Sequence, residues 1–205
     1  QSGITLQYAS EALRNDKEIV LQAVTQDADA LQYASEFLRN DIDIVLLAVT
    51  QYGGIPLRFA SEFLRNHREI VHLALSQPNP SPTYPWEEHK SALEYASSAL
   101  RNDREIVLLA VTQNGNALQY ASTALQDDKE IVLLALSADI KLLEYVSERL
   151  KNDFEIVLKL IYLSKDEDVH ISETLLFVGR LLREYRPVES ETGSYSQSET
   201  GIYSE

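Results

Sequence analysis

The stretch Leu31-Gln32-Tyr33-Ala34-Ser35 recurs, with small changes, five more times along a chain of 205 residues. The other copies begin at Leu6, Leu57, Leu93, Leu118 and Leu143. Their aromatic residues stand 25, 26, 36, 25 and 25 positions apart. A fixed period of this length is typical of a repeat protein, in which each unit packs on the next. The one longer interval predicts an insertion after the third unit.

We expect each unit to form two short helices. In the second unit, one face of the first helix collects the apolar residues Leu31, Tyr33, Ala34, Phe37 and Leu38. This helix is expected to end at Asn40, since asparagine tolerates the left-handed backbone of a helix C-terminus. Asp41 follows, in the position of an N-cap for the second helix.

The second helix of each unit carries an apolar run, such as residues 44–49. A helix that is apolar on every side must be covered by its partner helix and by neighbouring units. Helices of about ten residues are too short to be stable alone. The predicted fold is therefore all-α: an α-solenoid of about six two-helix repeats over residues 1–163.

Several positions recur with the period and need no special function. We interpret a basic row and an acidic row as helix-terminus electrostatics. The basic row is Arg14, Arg39, Arg65, Arg101 and Lys151; the acidic row is Glu18, Asp43, Glu69, Glu105, Glu130 and Glu155. The serine of each copy is expected at a close helix contact, with its hydroxyl bonded to a carbonyl one turn earlier. The Tyr/Phe row is expected in the core with a polar tip.

The third unit departs from the pattern. His67 replaces a capping aspartate, His72 replaces a leucine, and residues 78–89 are inserted with four of the six prolines and the only tryptophan. Insertions in solenoids often form binding loops, so Tyr84 and Trp86 are candidate partner-binding residues. The alternative is that Trp86 fills a spacing defect created by the insertion. The spacing of five between the histidines is poor for a shared metal site, so we expect no metal and no cofactor.

The two ends of the array differ. Residues 164–186 predict a C-terminal capping helix, and residues 187–205 form an acidic tail rich in serine, glutamate, glycine and tyrosine. At the N-terminal end the sequence predicts no cap. We therefore expect further repeats or another domain upstream, and an apolar end that can self-associate.

Composition excludes several classes of function. The chain has 18 basic and 32 acidic residues, a net charge of −14. This charge disfavours binding to nucleic acid or to anionic membrane. No apolar run reaches the ~20 residues of a membrane span, so membrane insertion is not expected. There is no cysteine, and we find no acid/base pair, phosphate-binding glycine loop or metal-ligand spacing, so we expect no enzymatic activity.

The repeated sequences 100–111, 113–115 and 117–122 resemble a family of short tandem helical repeats of unknown function. That family occurs in secreted effectors of intracellular bacteria and in some protists, and the resemblance covers residues 1–163. The tail resembles the C-terminal export signals of type IV secretion effectors. The residues that carry this second resemblance are Glu189, Glu191, Glu199, Ile202 and Tyr203. It implies secretion by a bacterium into the host cell cytosol; without it we expect a cytoplasmic protein. Tyr203 is also a candidate phosphorylation site, the alternative being a solvated acidic terminus.

Together these patterns favour a non-enzymatic protein–protein interaction scaffold, the C-terminal repeat region of a bacterial effector. Its partner is expected to be a host or bacterial protein with a basic surface. The candidate contact residues are Tyr84, Trp86, His67, His72, Gln32, Glu36, Arg58 and Glu62. The alternative is a spacer or targeting arm for a catalytic domain that lies upstream.

Overall fold

The computed structural model describes residues 3–77 and 91–163. Within these two ranges the chain is helical and contains no β-strand, which confirms the all-α prediction. Six consecutive units follow one another with the predicted period. The insertion at 78–89 with Tyr84 and Trp86, the predicted capping helix at 164–186, and the tail at 187–205 lie outside the described residues.

Each unit contains three helical segments rather than the two that we predicted. In unit two these are a 3-10 helix (Ala28–Tyr33), a single α-helical turn (Glu36–Arg39) and a long α-helix (Ile42–Tyr52). The predicted first helix is interrupted because Ala34 and Ser35 have extended backbones, with ψ of 154° and 156°. A residue with this conformation begins a new helix rather than continuing the previous one.

The other units repeat this order of segments. Unit one consists of Gly3–Tyr8, Glu11–Arg14 and Lys17–Gln26, and unit three of Ile55–Phe59, Glu62–Arg65 and Arg68–Ser76. Unit four consists of Ala92–Glu94, a 3-10 turn at Leu100–Asn102, and Arg104–Gln113. Unit five consists of Gly115–Tyr120, turns at 123–127, and Lys129–Ala138; unit six consists of Ile140–Tyr145, Glu148–Lys151 and Phe154–Leu163.

The long helices pack side by side and form the centre of the core. In unit two the buried positions are Ile44, Val45, Ala48 and Val49, and units three to five bury the equivalent residues. The leucines on the opposite side of the long helix, such as Leu46, are only half-buried. Neighbouring units therefore cover one broad face of this helix, and the prediction that it is covered all round was wrong.

The serine of the pentapeptide joins each unit to the one before it. The Ser35 hydroxyl accepts a hydrogen bond from Leu38 N–H at 3.2 Å and donates one to Asn15 Oδ1 at 2.7 Å. Its backbone N–H donates to the carbonyl of Arg14 at 2.9 Å. The predicted bond to a carbonyl one turn earlier is made instead by hydroxyls near the ends of the long helices, such as Thr50 to Leu46 at 2.7 Å.

The asparagine before each cap also differs from the prediction. Asn40 has φ of −102° and ψ of 6°, which is not the left-handed conformation. Its side chain accepts the hydroxyl hydrogen bond of Ser61 from the next unit. The asparagine is thus retained at the junction because of this bond between units, not because of a backbone requirement.

The same backbone bond recurs at every junction between described units. The amide N–H donors are Ser35, Ser61, Ser97, Ser122 and Ser147, at 2.8 to 3.3 Å from a carbonyl of the preceding unit. Ser97 bonds to Arg65 although the insertion separates their units. Close packing accompanies this junction, since a Cβ on Gly54 would lie 2.3 Å from the Cβ of Ala92. The contacts between units three and four therefore follow the same register as those at the other junctions.

Replacing Ser122 by alanine removes two bonds of its hydroxyl together: the one it accepts from Leu125 N–H within the turns at 123–127, and the one it donates to Asn102. We expect the free energy of unfolding to fall by about 1–2 kcal/mol, measured by urea denaturation. The neighbouring Ser98 is exposed, so Ser98→Ala is the matched control and should change stability by less than about 0.5 kcal/mol. Equal effects of the two substitutions would contradict the junction described here.

Candidate interaction surface

A ladder of ion pairs runs along the edge where the long helices begin. The residue after the capping aspartate of one unit pairs with two acids of the next unit. Lys129 Nζ lies 2.9 Å from Asp153 Oδ1 and 2.7 Å from Glu155 Oε2. The other pairings are Lys17 with Asp41 and Asp43, Arg68 with Asp103 and Glu105, and Arg104 with Asp128 and Glu130. Four members of the acidic row, Asp43, Glu105, Glu130 and Glu155, therefore pair with a cation of the preceding unit.

Arg14 of the predicted basic row bonds within its own unit. Arg14 donates to the carbonyls of Gln7 at 2.7 Å and Ala9 at 3.1 Å, both in its own unit. Gln126 occupies the same position in unit five and donates to the carbonyl of Leu118 at 3.1 Å. These side chains fasten the 3-10 helix of a unit to its one-turn segment.

The capping aspartates have perturbed pKa values. Burial alone would raise the pKa of Asp128, but hydrogen bonds from Arg104 and from the backbone N–H of Ile131 outweigh it and lower that pKa. The same balance lowers the pKa of Asp103. The predicted capping role is confirmed, since Asp41 accepts hydrogen bonds from the N–H groups of Asp43 and Ile44. The caps thus stabilise the fold in their charged form.

The ladder is interrupted between units two and three. Ile42 stands where the other junctions have a lysine or arginine, and His67 stands where the next unit should provide a capping aspartate. Within the described chain, His67 makes no side-chain cap bond, and its Nδ1 lies 3.0 Å from Glu69 Oε2. The repeat pattern indicated His67 as a departure, but Ile42 was not predicted. Ile42 departs from the pattern only when the residue after each cap is compared with the cap of the following unit.

Two exposed phenylalanines lie at the same junction. Phe37 is 74% exposed and Phe63 is 70% exposed, at the same position of units two and three. In units one, four and five this position is an exposed alanine, at Ala12, Ala99 and Ala124. The prediction that Phe37 is buried was wrong, because the new helix start at Ser35 changes the phase of the helix. Leu38, from the same predicted face, is buried as expected.

These side chains lie on one edge of the array. In unit six the Phe63 position is Arg149, which bonds to the side chain and the carbonyl of Asp127 in the preceding unit. Phe63 follows Ser61, whose hydroxyl bonds to Asn40, so the one-turn helix Glu62–Arg65 begins beside Asn40, two residues before Ile42. We call Phe37, Ile42 and Phe63 the apolar edge. Ile42 is 42% exposed.

The remaining predicted site residues lie in different surroundings. Glu36 and Glu62 are exposed and directly precede the two phenylalanines of the apolar edge. Gln32 is exposed in a 3-10 helix, and His72 is exposed on the long helix. Arg58 is half-buried: its guanidinium bonds to Asp29 at 3.0 Å and lies 4.5 Å from the centre of the Phe59 ring. Its role as a partner contact remains a prediction.

A second apolar surface lies on the outer side of the long helices. Between units five and six it forms an open groove lined by Glu130, Leu133, Leu134, Ser137, Glu155, Leu158 and Lys159. A row of half-buried or exposed leucines continues along this side in the other units. His72 interrupts that row, since it replaces the leucine of unit three.

The Tyr/Phe row is packed against the core, as predicted, except in unit one. Tyr33, Phe59, Tyr95, Tyr120 and Tyr145 are partly buried there. Burial and the nearby Glu94 raise the pKa of Tyr120 to about 12. In unit one Tyr8 and Leu13 are exposed, although the equivalent Leu38 is buried. The preceding unit accounts for this difference, because it covers these positions in each later unit.

The described residues contain neither a metal-binding cluster nor a membrane-spanning helix. No group of three histidines or carboxylates in residues 3–77 and 91–163 is arranged to hold a metal ion. No helix in the same ranges is long and apolar enough to cross a membrane.

Comparison with known proteins gives one finding. The family model described as Domain of unknown function (DUF4116) matches residues 1–37, 24–56, 87–126 and 128–169. Comparisons with curated proteins and with solved structures found no match. The matched segments are spaced as a tandem array, in agreement with the repeats.

Restoring the ladder at the interrupted junction should stabilise the array. His67→Asp supplies the missing helix cap and is expected to add about 1 kcal/mol to the free energy of unfolding. Ile42→Arg alone should add little, because without a carboxylate at position 67 the arginine meets only the exposed carboxylate of Glu69. The double variant should exceed the sum of the two single variants, and salt should remove the excess. Strict additivity in a urea-denaturation cycle would contradict the pairing rule.

Acid should weaken the array. Asp103, Asp128 and Asp153 have lowered pKa values in the folded chain, so folding releases protons near the ordinary aspartate pKa of 3.8. The free energy of unfolding should therefore be level above about pH 5 and should fall as the pH drops through about 4. Arg104→Gln should show a smaller fall than the unmodified chain. Stability that increases toward pH 3 would contradict this account.

Proposed function

We propose that this chain, which belongs to the family Domain of unknown function (DUF4116), is a protein-binding scaffold that catalyses no reaction. The observation that carries the proposal is the contrast between internal and exposed positions. The residues that join units repeat almost unchanged, whereas exposed positions differ from unit to unit. Repeat proteins commonly bind partners through such variable surfaces on a constant framework.

The exposed apolar side chains support binding to a protein. Phe37, Phe63 and Phe154 are each at least 70% exposed. Large apolar side chains grouped on a surface mark interaction sites, and aromatic residues dominate the binding energy of protein interfaces. The apolar edge carries two of these rings on adjacent units.

Charge supports a partner with a basic surface. The chain has a net charge of −14, and Glu36 and Glu62 are exposed beside the apolar edge. Opposite charges on two partners accelerate encounter and disfavour wrong partners. We therefore expect binding to weaken as the salt concentration rises.

We also propose that the protein is a type IV secreted effector of a bacterium, acting in the host cell cytosol. This finer proposal rests on the sequence resemblances of the repeats and of the acidic tail. The tail carries Glu189, Glu191 and Glu199 together with Ile202 and Tyr203 near its end. An exported scaffold would recruit a host protein rather than modify one.

A capture experiment tests the scaffold proposal. The full chain is immobilised and exposed to host lysate, and each captured protein is purified and titrated against the chain. We expect saturable binding by a small number of proteins whose intact mass is unchanged after incubation. Leu118→Asp is the control, because Leu118 is fully buried and the acid should unfold the array. Proteins that bind this control are excluded, and a changed partner mass would contradict the absence of catalysis.

A translocation assay tests the export proposal separately. The chain is fused to a reporter enzyme that gives a signal only in the host cytosol, and residues 187–205 are deleted in a second fusion. We expect the signal to be lost on deletion and also in a donor strain without the secretion system. A signal that persists without the tail would contradict the assigned export role of residues 187–205.

A further inference from the structure

We infer that the apolar edge of units two and three is a docking site for a basic, apolar segment of another protein. This inference rests on the proposed scaffold function and assigns it a site. Phe37, Ile42 and Phe63 supply the apolar contacts, and Glu62 and Glu69 supply the charge.

The apolar part of the argument comes from comparison between units. At the position of Phe37 and Phe63, three other units carry alanine, and each of them still bonds to the following unit through the serine amide. The rings are therefore not required by the stacking of the units. At the position of Ile42, four units carry a lysine or arginine that pairs with the next unit. Among the described junctions, the one between units two and three thus has large apolar residues at positions where other junctions have alanine, lysine or arginine.

The charged part follows from the interrupted ladder. Glu105, Glu130 and Glu155 each receive a cation from the preceding unit, and Asp43 receives Lys17. Glu69 stands at the same position in unit three; it lies 3.0 Å from His67 Nδ1 of its own unit, and the preceding unit offers Ile42 in place of a cation. A lysine or arginine of the partner can occupy the place that Arg104 or Lys129 fills elsewhere. Ile42 then packs against the apolar part of the partner.

Two basic residues of these units, Arg58 and Arg68, pair with other groups. Arg58 is paired with Asp29, and Arg68 is paired with Asp103 and Glu105 of unit four. In the described ranges neither Glu36 nor Glu62 forms an ion pair. The acids beside the apolar edge therefore remain available to a cationic ligand.

Charge also argues against the tail of this chain as the occupant. From Val188 onward the tail has four acidic residues and no basic residue. Its approach to Glu62 and Glu69 would bring like charges together, which opposes binding. A basic segment of a different protein fits the same surface without this repulsion.

Selection from a library of random peptides displayed on phage tests the inference on the full chain. We expect the enriched peptides to combine lysine or arginine with leucine or aromatic residues. The best peptide is then synthesised and titrated against four forms of the protein: unmodified, Phe37→Ala/Phe63→Ala, Glu62→Gln/Glu69→Gln, and Phe154→Ala. Alanine is the residue of units one, four and five at the Phe37 position, so the melting temperature of the first variant should not change.

The dissociation constant should rise at least about tenfold in the phenylalanine variant and severalfold in the glutamine variant. Phe154 is 76% exposed on unit six, so Phe154→Ala is the matched control and should leave the constant unchanged. Affinity unaffected by Phe37→Ala/Phe63→Ala would overturn this site while leaving a scaffold that binds elsewhere. Enrichment of acidic peptides, or of none, would also overturn it. A dimer of the unmodified chain that the same variant abolishes would assign the edge to a second copy instead.

Discussion

Stacking of each unit on its neighbour is the interaction on which the whole structure depends. The one-turn segments and the long helices of about ten residues cannot be stable in isolation. Burial of residues such as Ile106 and Val107 between adjacent long helices provides the main stabilisation. The bond from Ser122 N–H to the carbonyl of Arg101 fixes the position of one unit relative to the preceding unit. Stability and register therefore come from the same contact.

This constraint separates residues that serve the fold from those available for function. The capping aspartates, the serines and the asparagines each bond across a junction or begin a helix, and their recurrence follows from that role. Ile42 and His67 break the recurrence together, at the junction that also carries Phe37 and Phe63. A coordinated change of this kind is not needed for stacking, since the serine bonds persist there. The departures from the repeat thus locate the surface on which binding can differ from unit to unit.

The sequence was sufficient for the period, the all-α class and the aspartate caps, because each depends on a local pattern repeated six times. It was insufficient for the break at Ser35, since alanine and serine permit both a continuous helix and a new helix start. That break put Phe37 on the surface, while Leu38 is in the core as predicted. The ion pair of Arg58 with Asp29 was not predicted, because Asp29 lies in the preceding unit and a pairing between units is not visible in a single helix pattern. The Tyr84 and Trp86 prediction remains a prediction, outside the described residues.

Amide hydrogen exchange at Ser97 tests most directly whether the units form one continuous array. This N–H is the one that crosses the insertion, 3.1 Å from the carbonyl of Arg65. The account predicts protection at Ser97 comparable to that at Ser61 and Ser122, and much greater than at the exposed Ser98. Exchange at Ser97 as fast as at Ser98, with Ser61 and Ser122 protected, would show two separate arrays and contradict the account.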